Sequence, residues 1–133
     1  MSTLCHCTIL RRATRKLSAV YDLALEPFAI NIAQYSLLRA IAREQPLSLT
    51  TLGRRTELDR STVGRNVRVL EKLGLVVTRR SEDDQREAVV LLTAQGADTI
   101  HRAFPAWENC QRDIEAKLGA GKIDTLRTLL DCI

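Results

Sequence analysis

Two cysteines flank a histidine near the amino terminus of the chain, at Cys5, His6 and Cys7. Thiolate and imidazole groups are common zinc ligands, and thiols are also the groups that oxidants modify most readily. Structural zinc usually needs four ligands at spacings such as C-x2-C, and His101 is the only other histidine. We therefore expect no metal and no cofactor here. Two interpretations of the thiols stay open: an oxidation-sensitive group, or small apolar side chains in a buried helix face.

Basic side chains are concentrated in two stretches of the chain. The segment from Arg60 to Arg80 carries six arginines or lysines against one acid, Glu71. A second cluster of four basic residues lies between Arg11 and Lys16. The whole chain of 133 residues has a net charge of only +4, so the position of the charge is more informative than its size. Localised arginines predict a polyanionic partner.

The composition is that of an ordinary soluble helical domain, with 45% hydrophobic and 27% charged residues. Aromatic residues make up only 4%, and glycine and proline are few, which favours helices over a β-sandwich or barrel. No apolar run is long enough to span a bilayer, and the apolar core of a signal peptide is missing before Arg11. We expect a cytoplasmic protein without a membrane partner, whose cysteines are reduced.

Hydrophobic periodicity predicts four helices in the first half of the chain. The first covers residues 4–24 and has an apolar stripe that needs a partner surface. Asn31 and Gln34 form a candidate capping box at the start of the second helix. Ser48 caps a short third helix, and Asp59 caps the fourth after a tight turn.

The fourth predicted helix, "RSTVGRNVRVLEKLG", presents two different faces. Its core-facing stripe is Val63, Val67 and Leu70, while the opposite face carries hydroxyl, amide and guanidinium groups. Two β-branched runs, "LVVTRR" and "EAVVLLT", follow and predict a hairpin with the polar tip "SEDDQR". A further helix begins at Thr93 and is expected to be interrupted or kinked at Pro105. A last amphipathic helix follows the sequence "GAG".

This order of elements predicts a mainly α-helical winged helix-turn-helix with a small β-hairpin wing. Serine, threonine, arginine and asparagine on one helix face suit the major groove, where they contact base edges and phosphates. The hairpin would reach the neighbouring minor groove. Arg65, Asn66 and Arg68 could instead form a solvated surface, but the uniform positive charge and the basic hairpin favour DNA.

The segment "LTTLGRRTELDRSTVGRNVRVLEKLGLVVTRRSEDDQREAVVLLTAQG" resembles the DNA-binding core of the MarR (multiple antibiotic resistance regulator) family. The most specific match is Asp84-Gln85-Arg86 followed by Leu92-Thr93, which fits that family's D-x-R…L-T wing signature. The sequence "AQYSLLRAI" of the second helix matches as well, and the resemblance extends over essentially the whole chain.

The resemblance implies one MarR-type domain over residues 1–133. Its winged helix-turn-helix core would span residues 31–93, and residues 1–26 and 94–133 would form dimerisation helices that intertwine in a homodimer. Such a protein is expected to bind a palindromic operator in double-stranded DNA, as a repressor released by thiol oxidation or by a small aromatic or carboxylate effector. The effector would bind between the dimerisation helices and the winged core.

The resemblance also assigns residues to the DNA interface. The assigned residues are Arg60, Ser61, Thr62, Arg65, Asn66, Arg68, Arg79, Arg80, Asp84 and Arg86. Arg86 would be the wing arginine, and Asp84 would hold the wing by pairing with basic neighbours. A local ion pair without a DNA role is the alternative for these two wing residues.

One branch of the family, the organic hydroperoxide sensors, has a cysteine near the start of its first helix, and Cys7 lies at about that position. Tyr21 lies where this branch has a tyrosine that hydrogen-bonds the thiolate across the dimer, whereas Arg11 replaces a second tyrosine of the branch. Cys110 or Cys132 could resolve an oxidised Cys7 as a disulfide between subunits. Alternatively, all four thiols are small apolar groups in the dimer core.

Two other classes of function compete with DNA binding. A thiol oxidoreductase would normally carry a C-x-x-C motif in a βαβ context, which the sequence lacks, so we do not expect an enzyme. A winged-helix module that binds protein is the other alternative. Salt-dependent binding to duplex DNA separates the two possibilities, since phosphate contacts make DNA binding sensitive to salt.

Overall fold

A computed structural model of the chain describes residues 3–80 and 87–133. Helices and a small sheet alternate in the first two thirds of the chain, and two helices complete it. The elements in order are α1 (His6–Leu25), a 3-10 turn (Glu26–Phe28), α2 (Ile32–Glu44), β1 (Leu47–Ser48), α3 (Leu49–Thr56), α4 (Arg60–Lys72), β2 (Val76–Arg80), β3 (Ala88–Leu92), α5 (Ala94–Leu118) and α6 (Ala120–Cys132).

Side-chain caps fix where the helices of the winged core begin. Asn31 accepts from the Gln34 amide at 2.8 Å, and the Gln34 side chain accepts from the Asn31 amide at 2.9 Å, so the predicted capping box is confirmed. Ser48 and Asp59 cap α3 and α4 in the predicted way, through the amides of residues 51 and 62. Each such cap typically contributes about 1 kcal/mol.

The sheet has three antiparallel strands in the order β1-β3-β2. The predicted hairpin is confirmed, with Val76 opposite Leu92 and Arg80 opposite Ala88. The sequence analysis missed β1, which pairs Leu47 with Val90 on the other edge of β3. Two residues are too few to show an alternating pattern, so only the tertiary pairing defines this strand.

The core lies where α2, α3, α4 and the sheet meet. Tyr35, Leu38, Ile41, Leu52 and Val63 are fully buried there, together with other apolar side chains. The predicted core-facing residues of α4 are all buried, and α2 buries Tyr35, Leu37, Leu38 and Ile41. α1 is held to this core at its carboxyl-terminal end, where the Asp22 carboxylate accepts from the Ile32 amide at 2.8 Å.

The predicted interruption of the helix at Pro105 was wrong, because α5 runs from Ala94 to Leu118 without a break. Proline removes only the hydrogen bond to the carbonyl of residue 101, and that turn of α5 is exposed, so water can satisfy the carbonyl. The last helix, predicted to follow the sequence "GAG", begins within it at Ala120, directly after Gly119 with φ of 86°.

Apolar side chains on α1, just before it and on α6 remain exposed in the single chain. They include Leu4, Ile9, Leu10, Val20, Leu23, Leu126 and Leu130. Cys7 is also exposed, as are all of residues 3–16 in the single chain. Within residues 3–80 and 87–133, no helix has the length and apolar character needed to cross a bilayer.

Candidate nucleic-acid interface

The rotation of α4 about its axis is fixed by the core. Val63, Val67 and Leu70 are at most 1% exposed, so this stripe cannot turn outward without losing its packing. The opposite face of α4 therefore points to solvent. The residues on it are Ser61, Arg65, Asn66, Arg68 and Val69, all exposed, with Thr62 half-buried beside them.

The first turn of α4 is organised around the Asp59 carboxylate. One of its oxygens, Oδ1, accepts from the Thr62 amide and from the Ser61 hydroxyl, each at 2.8 Å. The Thr62 amide is the main reason that the pKa of Asp59 falls to about 2, followed by the hydroxyls of Ser61 and Thr62 and the charge of Arg65. The carboxylate is thus ionised at neutral pH, and Arg65 donates in turn to the Thr62 hydroxyl at 3.3 Å.

α3 contributes polar groups to the same side of the molecule, and the sequence analysis missed them. The Arg60 guanidinium donates to the Thr50 hydroxyl at 3.4 Å, which joins the start of α4 to the start of α3. Thr50 and Arg54 are exposed, whereas Arg55 is paired with Glu44. In helix-turn-helix proteins the first helix of the motif crosses the DNA backbone, so Thr50 and Arg54 are further candidates for phosphate contacts.

A polar contact ties the wing strand to α4. The Thr78 hydroxyl on β2 donates to the Glu71 carboxylate at 3.0 Å, so the one acid of the basic segment is engaged within the protein. Arg79 and Arg80 follow at the exposed end of β2. The predicted wing residues Asp84 and Arg86 lie outside the described residues, and their roles stay predictions.

The carboxyl-terminal end of α4 is joined closely to the start of α5. The Thr93 hydroxyl donates to the Gly74 carbonyl at 2.6 Å, and the Thr93 amide donates to the Leu75 carbonyl at 3.1 Å. A Cβ atom at Gly96 would lie only 2.0 Å from the Leu75 carbonyl oxygen. Only glycine fits this position, and its absence of a side chain lets α5 pack directly on the backbone that follows α4.

The cysteines occupy three different environments. Cys5 is the N-cap of α1 and fully exposed, and the backbone amides of Thr8 and then Cys7 lower the pKa of its thiol. Such amides at the first turn of a helix have no helical partner and stabilise a thiolate. Cys110 is buried in α5, and burial raises the pKa of its thiol. Cys7 and Cys132 are exposed.

Tyr21, which the sequence analysis assigned to a thiolate, has a partner within its own chain. Its hydroxyl contacts the Gln111 side-chain oxygen, a contact that joins α1 to α5. Burial is the main cause that raises the pKa of Tyr21, followed by the proximity of Cys110 and Glu115. A contact with a thiolate of a partner subunit stays a prediction.

A groove and an aromatic cluster lie between the winged core and α5. The groove has a volume of about 570 Å³ and is lined mainly by apolar side chains, with Gln45 and His101 as its polar members. In the neighbouring cluster, the Arg39 guanidinium lies 4.4 Å from the ring centre of Trp107. The hydroxyl of Tyr35, whose ring contacts Trp107, is buried without a hydrogen-bond partner among the described residues.

The described elements define a winged helix-turn-helix protein, in which a core-anchored helix with a polar, basic face stands between a short helix and a hairpin. A family model described as MarR family matches residues 30–87. The chain also matches a solved structure of the M. tuberculosis transcriptional regulator MosR in complex with DNA. The identity is 30%, the TM-score is 0.83, and the match covers 97% of this chain and 98% of that one. The chain belongs to the MarR family of transcriptional regulators.

Two curated relatives are similar over a shorter region. The HTH-type transcriptional regulator SarZ of Staphylococcus saprophyticus is 33% identical over 92 residues, which cover 69% of this chain and 63% of SarZ. The organic hydroperoxide resistance transcriptional regulator of Bacillus subtilis is 29% identical over 91 residues, which cover 68% of this chain and 62% of that protein. The aligned part of the chain thus spans a little under two thirds of these relatives.

Proposed function

We propose that the protein is a homodimeric transcriptional repressor that binds a palindromic operator through α4 and the wing. The observation that carries this proposal is the polar and basic face of α4, which the core and the Asp59 cap hold in one orientation. A preorganised helix loses little entropy on entering the major groove. The similarity to MosR, which has been solved with DNA, supports the same function.

A mobility-shift assay on the DNA upstream of the gene tests the proposal. We expect the reduced protein to shift this duplex and a competitor of unrelated sequence to displace it poorly. Shift of both duplexes to the same extent would argue against operator recognition. Absence of binding to any duplex at low salt would favour a module that binds protein instead.

The second subunit of the proposed dimer covers the exposed apolar faces of α1 and α6. Residues 3–16, which include the first half of α1, are all exposed, and Leu130 on α6 is 80% exposed. A groove between α1, α5 and α6 is lined by Leu17, Ile114, Ile123 and Leu126. In a symmetric dimer, residues 3–16 of each subunit can pack on the apolar surface of the other subunit, so that the segment and the surface are buried together.

Replacing Leu130 with aspartate is expected to weaken dimerisation at least 100-fold. A two-fold axis repeats the substitution, and each buried leucine contributes about 1.5–3 kcal/mol. Analytical ultracentrifugation measures the dissociation constant. Leu58→Asp is the matched control, because Leu58 is also exposed but lies in the turn before α4. Equal dimer stability in wild type and Leu130→Asp would show that α6 is not in the interface.

Thiol oxidation at the start of α1 is the mode of release that we propose first. A hydroperoxide oxidises a thiolate to sulfenic acid and is itself reduced to the alcohol, and a second thiol then forms a disulfide with loss of water. Cys5 has the lowered pKa that favours a thiolate, and Cys7 lies two residues away on the same exposed turn. Cys132 is exposed and available as a resolving thiol, whereas Cys110 is buried.

Hydroperoxide is expected to release the wild-type protein from DNA but not the Cys5→Ser/Cys7→Ser double variant. The readout is fluorescence anisotropy of a labelled operator before and after oxidant, with reversal by dithiothreitol. Cys110→Ser is the control and should respond like wild type, because burial keeps its thiol protonated. Release of the double variant at the wild-type oxidant concentration would refute this mode. The two single variants then assign the first thiol to react.

Release by a small aromatic or carboxylate effector is the second mode, and the groove beside α5 favours it. The groove is lined by residues of both α2 and α5. A ligand in it could therefore change the position of the winged core relative to the helices that we assign to dimerisation. The Arg39 guanidinium nearby offers a charge for a carboxylate. Release of the fully reduced protein by salicylate or a similar anion, without oxidant, would distinguish this mode from thiol oxidation.

A further inference from the structure

We propose that Asp59 is a positioning residue that fixes the hydrogen-bonding direction of the Ser61 hydroxyl. Ser61 then presents only acceptor lone pairs to DNA and selects a base with an exocyclic amino group, adenine or cytosine. This inference rests on the proposed role of α4 as the recognition helix. It adds to that role a base preference, set by Ser61, at one position of each half-site.

The contact between Ser61 and Asp59 has only one possible direction. The Ser61 Oγ lies 2.8 Å from Oδ1 of the Asp59 carboxylate. An ionised carboxylate has no proton to donate, so the serine hydroxyl must be the donor. A hydroxyl has one proton and two acceptor positions, and with its proton directed to Asp59 only the acceptor positions of Ser61 remain.

The neighbouring hydroxyl does not compete for the same base. Thr62 is half-buried, and its hydroxyl also interacts with the Asp59 carboxylate. The Thr62 oxygen accepts in addition from the Arg65 guanidinium at 3.3 Å. Ser61 is therefore the exposed hydroxyl acceptor on the first turn of α4, and the remaining N–H groups of Arg65 are the donors beside it.

The major groove offers hydrogen-bond donors only on adenine and cytosine. Guanine and thymine present acceptor oxygens there, and guanine and adenine also present N7. Guanine O6 or thymine O4 opposite Ser61 would bring two acceptors together, unless the hydroxyl left Asp59. Because its one proton is directed to Asp59, the Ser61 hydroxyl also cannot donate a hydrogen bond to a phosphate. The carboxylate itself repels phosphates, which disfavours docking of α4 against the DNA backbone without base contacts.

Selection of duplexes from a randomised library by three proteins tests the inference. For wild type we expect one preferred base pair at one position of each half-site, with its adenine or cytosine on the strand nearer Ser61, and for Ser61→Ala a loss of preference at that position alone. Asp59→Ser keeps an acceptor for the Thr62 amide but leaves the Ser61 hydroxyl free to rotate. We expect the Asp59→Ser variant to accept all four bases at that position, while the other positions of the half-site keep their base preference. A merely structural role of Asp59 would instead weaken all positions together.

Base analogues then measure the contact directly. Removing the exocyclic amino group at that position, with purine in place of adenine or pyrimidin-2-one in place of cytosine, is expected to weaken wild-type binding about 3- to 10-fold. It should leave the affinity of Ser61→Ala unchanged. Because every Watson–Crick pair carries one exocyclic amino group in the major groove, the analogue is placed on each strand in turn. An equal loss in both proteins, or no loss on either strand, would overturn the inference and leave the proposed function intact. Failure of wild type to select any consensus would overturn both.

Discussion

Replacing Arg65 with alanine is expected to weaken operator binding by about 1–3 kcal/mol, which is about 5- to 150-fold in the dissociation constant. Arg65 is exposed on the outward face of α4, six residues after the Asp59 cap, and is held there by its contact with Thr62. An arginine at this position can form two hydrogen bonds with guanine, and the pair is lost when the side chain is removed. Titration of a labelled operator at fixed salt measures the effect.

Arg102→Ala is the matched control for this prediction. It removes the same charge from an exposed position on α5, where the guanidinium lies over the Phe28 ring, so the general electrostatic attraction falls equally. We expect its operator affinity to stay within about twofold of wild type at moderate salt, because a distant charge is screened. Equal losses in the two variants would mean that Arg65 acts only through net charge and that α4 is not the recognition helix.

Replacing Gly96 with alanine is expected to lower the free energy of unfolding by about 1–3 kcal/mol and Tm by on the order of 4–12 °C. The new Cβ would lie 2.0 Å from the Leu75 carbonyl oxygen, and backbone atoms on both sides must move to relieve the clash. The change would also separate α5 from the end of α4. Thermal unfolding followed by circular dichroism measures the stability.

Gly121→Ala serves as the control for the Gly96 substitution. Gly121 is also helical, but nothing lies within 4 Å of the position that its Cβ would occupy. Alanine is the better helix former by about 1 kcal/mol, so this variant should be as stable as wild type or more stable. If Gly96→Ala melted at the same temperature as Gly121→Ala, the close packing of α5 on Leu75 would not exist in solution.

Local interactions explain why much of the winged core could be predicted from the sequence. The caps at Asn31, Ser48 and Asp59 each join residues three apart, so a suitable side chain before an apolar stripe is enough to locate them. The two faces of α4 follow from a single period of 3.6 residues, and the structure confirms which residues point inward. Adjacent strands joined by a polar segment were likewise visible as a hairpin.

The features that could not be predicted from the sequence depend on contacts between residues far apart in the chain. β1 exists only because Leu47 meets Val90, 43 positions later in the chain. The contribution of Thr50 to the interface depends on its contact with Arg60, and the need for glycine at position 96 depends on the backbone of Leu75. The unbroken course of α5 through Pro105 reflects packing along the rest of that helix, which outweighs one missing hydrogen bond.

The candidate site was predictable in its residue types but not in its hydrogen bonds. The sequence named Ser61, Thr62 and Arg65 for the outward face, yet only the geometry shows that the Asp59 carboxylate accepts from both the Ser61 hydroxyl and the Thr62 amide. For the thiols, the sequence analysis emphasised Cys7, whereas the pKa lowered by the first turn of α1 is that of Cys5. Which of them reacts depends on the partner subunit as well, and the single-cysteine variants decide it.

The most direct test of sequence-specific binding through α4 is an anisotropy titration of the upstream duplex and a scrambled duplex over a range of salt concentrations. For the upstream duplex we predict a linear fall of log K with log salt, with a slope of about −5 if each subunit of a dimer contacts three phosphates. At physiological salt this duplex should bind at least about 1,000-fold more tightly than the scrambled one. Affinity that is independent of salt, or equal for the two duplexes, would contradict the account.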